Sequence, residues 1–518
     1  MSWLYRSNLL VLLVVALALA AAWVVWPFSG SGSAGQAVPR PLEKGDQEVV
    51  WLNPATAVNW ERFVAAARRL VADRHELVLD DSNAFPSQTT AVPELSISWG
   101  QGKPRLWFRW YKLTGDLGTR QWIQALAQRH PPPLAIIGGG TSDRARDLAR
   151  ELNDLPGPPS AKPLLLITTA TAGQIYLDDQ EKNLMEIYPG RSFRFCFTNR
   201  QMAKAVADFI WSRDDLRPDG QPMYLVQWKD DPYSEDLSEQ FHDVLAKYLE
   251  RLLPAQAAKA PVSLPAPFWS QGIPYSVGAF NQPNKWEAEA VERLMNNVSQ
   301  HSEQQRRLLV LPAIPQPARR FLRGLTRTDP VQASRFVVAT GDGIDFNTIY
   351  RDRNLTWPIQ DLPCDLVFFC HRNPVDPSAF REDEPGSDLT PPNANERTTT
   401  GTQDLLLFRD IVEAVVTAAA KDKAWLDRPD DLEQRLRQAQ LPDGHERFNA
   451  RGNQFAEVGE YVVVLKPIRE GNRVRPQASL QVWNGSTQAE GPGVWALVRE
   501  LTVDYLGKPS AIAPEGGP

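Results

Sequence analysis

Cysteine is nearly absent from this sequence: Cys196, Cys364 and Cys370 are the only three in 518 residues. If Asp365 to Phe369 forms a strand, the thiols flanking it stand roughly 20 Å apart at ~3.3 Å per residue. A disulfide tolerates a Cα separation of only ~7 Å. The fold must therefore rest on its core, which a chain of this length can bury. Cys370 and His371 are neighbours whose side chains diverge, so they do not make a nucleophile and base. Histidine is scarce too, and His75, His130, His242, His301, His371 and His445 show no paired ligand spacing. Asp80 and Asp81 follow a strand but lack a third ligand. No metal and no cofactor is expected. Basic clusters are also missing: Lys+Arg 56 against Asp+Glu 62 gives a net charge of −6, which excludes nucleic acid as a partner. No repeat of solenoid length is present.

What the N-terminus lacks is charge. None occurs between Arg6 and Arg40, and residues 8–28 read NLLVLLVVALALAAAWVVWPF, about the 20 residues that cross a ~30 Å hydrocarbon layer. Trp23 and Trp26 suit the outer interface and Arg6 the cytoplasmic side. Residues 1–28 thus read as a signal anchor, a transmembrane helix. Cleavage near Ala20-Ala21-Ala22 is the alternative, and either reading exports the chain. No cysteine near residue 22 offers a lipid anchor. Residues 29–46 form a flexible, then proline-stiffened, linker.

Short apolar strands then alternate with helices. Strands are expected at Val49 to Leu52, Glu76 to Leu79, Leu95 to Trp99, Leu106 to Leu113, Leu134 to Ile137 and Leu164 to Ile167. Further strands are expected at Met223 to Gln227, Ser276 to Phe280, Leu308 to Leu311, Phe336 to Ala339 and Leu366 to Phe369. Helices fall at Trp60 to Ala72, Thr119 to Arg129, Ser142 to Asn153, Arg200 to Ser212, Ser234 to Leu253, Lys285 to Val298 and Pro317 to Thr326. Residues 254–274 read as a Pro/Ala-rich exposed loop and 381–401 as a surface excursion. Leu405 to Ala420 and Leu432 to Gln440 are helical. Such alternation signals parallel sheets covered on both faces, and there are too many units for one sheet. The fold class is therefore α/β, two doubly wound parallel-sheet lobes joined by a hinge. Lobe 1 spans residues 47–198, with 371–455 returning to it, and lobe 2 spans 199–370. Residues 456–518 form a β-containing C-terminal segment, with a β-pair at Glu460 to Ile468 and Ala478 to Trp483. Trp107 and Trp110 read as packing.

Open parallel sheets bind ligands at the carboxyl ends of their strands. Two loops have that placement. Gly138-Gly139-Gly140-Thr141-Ser142 leads from a strand into a helix, where glycines permit close approach and N–H groups attract anions. Ser142 has a second reading as a plain helix cap, and the loop lacks the ending of a P-loop. Thr168-Thr169-Ala170-Thr171 follows the next strand. Neither loop carries a nucleophile with a nearby base, so no enzyme is expected.

The stretch from Leu134 to about Asp376 resembles the type I periplasmic binding proteins, in particular the branched-chain amino-acid-binding branch of ABC uptake systems. The matching pieces are AIIGGGTSDRARDLARELND, PLLLITTATA, SFRFCFTNRQMAKAVADFI, YLVQWKDDPYSEDLSEQF, LLVLPAIPQPARRFLRGL and VVATGDGIDFNTIYRD, in the family's order. The resemblance implies that two lobes close on a ligand. Gly140, Thr141, Ser142, Ala170 and Thr171 would hold its carboxylate. Tyr233 would line the cleft from the second lobe, and Asp342 would take an ammonium. It also implies an extracytoplasmic receptor for a small, amino-acid-like ligand, held at the cytoplasmic membrane by residues 8–28, with an ABC permease or a membrane sensor as partner. Asp342 and Tyr233 also read as ordinary turn residues. The first loop, NPATAV, departs from the family pattern, and the threonine loop lacks its proline. These departures leave a ligand-free interaction module as the alternative.

Overall fold

The computed structural model describes residues 37–504 apart from 55–56, 179, 220–221, 258–267, 276–282, 302–304, 345–362, 375–401, 422–423, 442–443, 445, 455–459, 471–472 and 487–492. Two sheets organise the chain. The first contains β1 (Gln47–Pro54), β2 (Val78–Asp80), β3 (Glu94–Ser98), β4 (Arg105–Leu113), β5 (Ala135–Gly138), β6 (Leu164–Ile167) and β9 (Ser192–Arg194), in the order β2-β3-β4-β1-β5-β6-β9. A hairpin of β7 (Gln174–Leu177) and β8 (Gln180–Asn183) stands apart from it. Strand β1 runs parallel to β4 and β5, whereas β2 and β3 are antiparallel additions at one edge. The central strands are buried along their whole length, as continuous apolar runs covered on both faces should be.

Helices α1 (Ala57–Asp73), α2 (Thr119–Gln128) and α3 (Ser142–Asn153) wrap this sheet. Its two faces form separate cores, one around Trp51, Phe63 and Phe108 and the other around Ile136, Leu148 and Leu165. The one-turn α4 (Leu184–Ile187) joins the second. Trp110 is packing, stacked on Trp60 at 6.0 Å. The linker's last residues are docked where a flexible tether was expected. Arg40 pairs with Glu94 at 2.5 Å and its backbone N–H donates to the Tyr111 hydroxyl. Buried Glu48 beside them takes Arg109 and Arg129.

Residues 195–198 cross to the second lobe, which opens with α5 (Asn199–Ser212), β10 (Met223–Lys229) and α6 (Pro232–Ala257). Next come β11 (Phe268–Pro274), α7 (Lys285–Val298), β12 (Arg307–Val310), α8 (Pro315–Thr328), α9 (Pro330–Ala333), β13 (Phe336–Ala339) and β14 (Asp365–Cys370). The 254–274 loop reading was wrong at both ends: α6 continues to Ala257, and β11 adds parallel to β10. Proline-rich composition masked a Phe-Trp strand. The strand expected at residues 276–280 lies outside the described residues.

The chain then returns to lobe 1 with α10 (Thr402–Ala419), the short pair β15 (Ala420–Lys421) and β16 (Ala424–Trp425), and α11 (Pro429–Arg437). Helix α10 lies along α1 and buries Leu407, Ile411 and Val415 in the Trp51 core. The last crossing leads to β17 (Glu460–Glu470), β18 (Arg473–Ser486) and β19 (Val494–Asp504). These strands are not a separate segment. They extend the second sheet, β11-β10-β12-β13-β14-β17-β18-β19, by antiparallel pairing onto β14. All three cysteines are buried and none forms a disulfide. Among the described residues no helix is long and apolar enough to cross a membrane. The span expected at residues 8–28 lies outside them.

Candidate functional site

A cavity of about 660 Å³ lies between the lobes. Its lobe 1 wall comes from the ends of β1 and β5 and the starts of α1 and α3, with Asn53, Asn59, Arg62, Gly140, Thr141 and Ser142. Its lobe 2 wall comes from the entry to α6 and the loops after β11 and β13, with Asp231, Tyr233, Tyr275, Asp342 and Gly343. His371, at the crossing after β14, and Asp404 and Phe408 of α10 complete it.

The glycine loop turns where the sequence required it to. Gly139 has φ +70°, and a Cβ there would stand 2.9 Å from that of Ala145, so a larger residue would push α3 away. The N-cap of α3 is Thr141, extended and making no side-chain cap bond, and Ser142 is the first helical residue. The plain-cap reading of Ser142 therefore fails. Its buried Oγ accepts from the Ala172 backbone N–H at 3.3 Å, tying the two loops together. Asp143 in the first turn suits the helix dipole.

The threonine loop is displaced by two residues from its expected role. Thr168 and Thr169 line the cavity, whereas Ala170 and Thr171 are buried away from its lining. The Ala170 carbonyl accepts from Cys196, and that of Thr171 from Arg194. Strand β6 ends at Ile167, so the first two hydroxyl residues meet the cleft and the next two turn under the hinge. The Thr168 and Thr169 hydroxyls donate to the carbonyls of Gly138 and Gly140, at 3.3 and 2.9 Å.

On the opposite wall the Tyr233 hydroxyl accepts from the Gly343 N–H at 2.9 Å. A Cβ at Gly343 would meet the Ala313 carbonyl at 2.6 Å and that hydroxyl at 3.0 Å, so the Asp342 loop lies tight against Tyr233. Burial pushes the Tyr233 hydroxyl pKa well above its usual value, with the nearby Asp342 charge adding to the shift. Asp342 Oδ2 sits 2.6 Å from His371 Nε2, the Tyr233 hydroxyl hydrogen-bonds the same carboxylate, and the buried Oδ1 finds no further partner among the described residues. The Phe197 N–H donates to His371 Nδ1 at 3.3 Å, which places the ring proton on Nε2. The dyad thus links both described crossings at this end of the cleft to the Asp342 loop. Nothing in the sequence marked His371, a lone histidine beside a cysteine. Cys370 itself is sealed in the second lobe's core.

Asp231, which precedes α6, also went unmarked. It accepts from the Tyr233 N–H, and burial pushes its carboxyl up to about 6, with Asp143 and Glu235 adding repulsion. Arg62 of α1 pairs with Asp404 of α10. Burial holds the Cys196 thiol up at about 12, so it is no thiolate near neutral pH. Among the described residues no group of His, Cys, Asp and Glu is arranged to hold a metal ion.

No protein-family model matches the sequence, and no curated protein does. Solved structures do: 97 chains match. A leucine-binding protein from Thermotoga maritima superposes with a TM-score of 0.50 at 12% identity, over 83% of this chain and 97% of that one. A possible leucine/isoleucine/valine-binding protein from Rhodopirellula baltica gives 0.48 at 9% identity, over 84% and 97%. A solute-binding protein of an ABC transporter from R. palustris, in complex with 4-hydroxybenzoate, gives 0.47 at 11% identity, over 88% and 96%. The chain has the type I periplasmic binding protein-like fold, two α/β lobes on either side of a cleft.

Proposed function

We propose that this chain is a solute-binding protein that captures a small polar, amino-acid-like ligand between its lobes and does no chemistry on it. The observation that carries this reading is the cavity of about 660 Å³, lined from both lobes and from the hinge. That size lies within the range of ligand sites. The backbone amides opening α3 would take a carboxylate, with Thr141 and Ser142 beside them, and the free oxygen of Asp342 would take an ammonium. Tyr233 would hold the Asp342 loop in place. Closure on the ligand would be the output, because ligand favours the closed state. The chain is exported and held at the cytoplasmic membrane by residues 8–28, where it serves an ABC permease or a membrane sensor.

A second reading, a ligand-free interaction module, is favoured by one observation. The Thr168 and Thr169 hydroxyls are spent on backbone carbonyls. Thermal shift of the full chain in detergent separates the two. A ligand at a hundred times its dissociation constant adds about 2.7 kcal/mol, and Asp342→Ala should remove at least ~1.5 kcal/mol of binding, the scale of a charged hydrogen bond. A cooperative melt that no amino acid, carboxylate or amine shifts would favour the module. Flotation of the full chain with membranes, lost on deletion of residues 1–36, tests the anchor.

A further inference from the structure

The charges of the cavity point beyond a neutral amino acid. Its described lining holds five carboxylates, Asp143, Asp230, Asp231, Asp342 and Asp404, against two guanidiniums, Arg62 and Arg144. Arg62 is taken by Asp404 and Asp342 is bonded to His371, so in the described lining three further acids face one exposed arginine, Arg144. Two of them oppose each other across the cleft. Asp143 opens α3 on lobe 1 and Asp231 precedes α6 on lobe 2, near enough for the charge on Asp143 to raise the Asp231 carboxyl. Among the described residues Asp231 has no cationic partner; the bonds it accepts come from the backbone amides that open α6. The Tyr275 ring is 40% exposed on the same wall, and its hydroxyl is raised first by burial and then by the same two acids, against an opposing effect of Arg320. An aromatic face beside carboxylates is a setting that attracts organic cations. Asp342, beside Tyr233, is bonded through Oδ2 to His371, while its Oδ1 has no further partner among the described residues.

We infer that the cleft selects a ligand carrying two positively charged nitrogen groups, one at Asp342 and the second bridging Asp143 and Asp231. This rests on the solute-binding reading and specifies it. Without ligand, Asp143 and Asp231 repel and hold the walls apart. A cation between them turns that repulsion into two attractions, one to each lobe, and so couples binding to closure. A basic amino acid and a simple diamine share this chemistry. The amides at the start of α3 favour the former, because a diamine leaves them without an anion.

Isothermal titration calorimetry of the full chain in detergent, with lysine, putrescine, leucine and glutamate, tests the inference. Lysine is expected to bind at least tenfold more tightly than leucine, with glutamate weaker still. Putrescine binding above lysine would assign the site to diamines and uphold the charge requirement. Asp231→Asn, which retains a helix-capping side chain, should weaken lysine at least tenfold, and more than it weakens leucine. Asp143→Asn, on an exposed side chain, should weaken lysine in the same direction. Leucine or glutamate binding as well as lysine, or lysine unaffected in both variants, overturns the inference and leaves the solute-binding reading standing. Silence of all four ligands with a cooperative melt overturns both.

Discussion

Asp231 illustrates how a site can oppose the fold that carries it. Its carboxyl titrates near 6 in the folded protein and near 4 in an unfolded chain. Between those values the folded state binds more protons, so stability falls as pH rises through the window and stays low above it. Among the described residues the charges that act on Asp231 are those of Asp143 and Glu235, both acids, and Asp230, Tyr233 and Tyr275 line the cavity beside it. Asp231→Asn should therefore stabilise the ligand-free protein at pH 7 by at most about 3 kcal/mol, seen as a higher melting temperature, and flatten the pH dependence between about 4 and 6. Melting curves across that range check this; a variant no more stable than the wild type at pH 7 would refute the account. The sequence made part of this site legible. Gly140, Thr141 and Ser142, which line the cavity, were named because a strand, a glycine run and a helix start coincide there. Thr168 and Thr169 were passed over for Ala170 and Thr171, because the end of a buried apolar strand cannot be fixed within two residues by pattern. Asp231 and His371 carry no local signal, since their importance lies in what the other lobe places opposite them.

The elements were easier to read than the contacts between them. Strands β5, β6 and β13 and helices α3 and α7 stand where apolar runs and helical spacing put them. Pairing that depends on distant chain was not readable: β17 reaches β14 across some 90 residues, and its sequence names no partner. One such contact joins the lobes beside the hinge. Asp236 of α6, buried in lobe 2, accepts from the consecutive backbone N–H groups of Gly173 and Gln174 in lobe 1, at 2.8 and 3.1 Å. The Asn199 amide at the start of α5 donates to the same carboxylate at 2.8 Å. Burial raises the Asp236 carboxyl, and these donors oppose the rise. Asp236→Ala leaves two amides without an acceptor, at a cost of about 1–3 kcal/mol. Amide exchange at Gly173 and Gln174 should speed at least tenfold while that of the β5 amides stays unchanged. Unaltered exchange at the Gly173 and Gln174 amides would mean that this contact does not hold the lobes together.

Taken as one molecule, the chain differs from a plain two-lobed design in how lobe 2 is closed. Strand β14 would be the sheet's edge if the chain ended its second lobe there, with Val367 and Phe369 on one face and Leu366 and Phe368 on the other, all fully buried. Strand β17 covers that edge by pairing Leu366 with Leu465 through to Cys370 with Tyr461. Val462, Val463, Val464 and Leu465 are each completely buried in doing so. At about 1.5–3 kcal/mol for each side chain, these four contribute roughly 6–12 kcal/mol. The whole stability of a domain is about 5–15 kcal/mol, so the extension belongs to the fold and is not an appendage to it. A chain ending at residue 455 should accordingly lose its cooperative melt and aggregate, since β14 would present an unpaired apolar edge. Soluble yield and thermal unfolding of the shortened chain check this. Should it melt cooperatively and still bind ligand, lobe 2 would be complete without β17 to β19, and those strands would have to be explained by a role outside the fold.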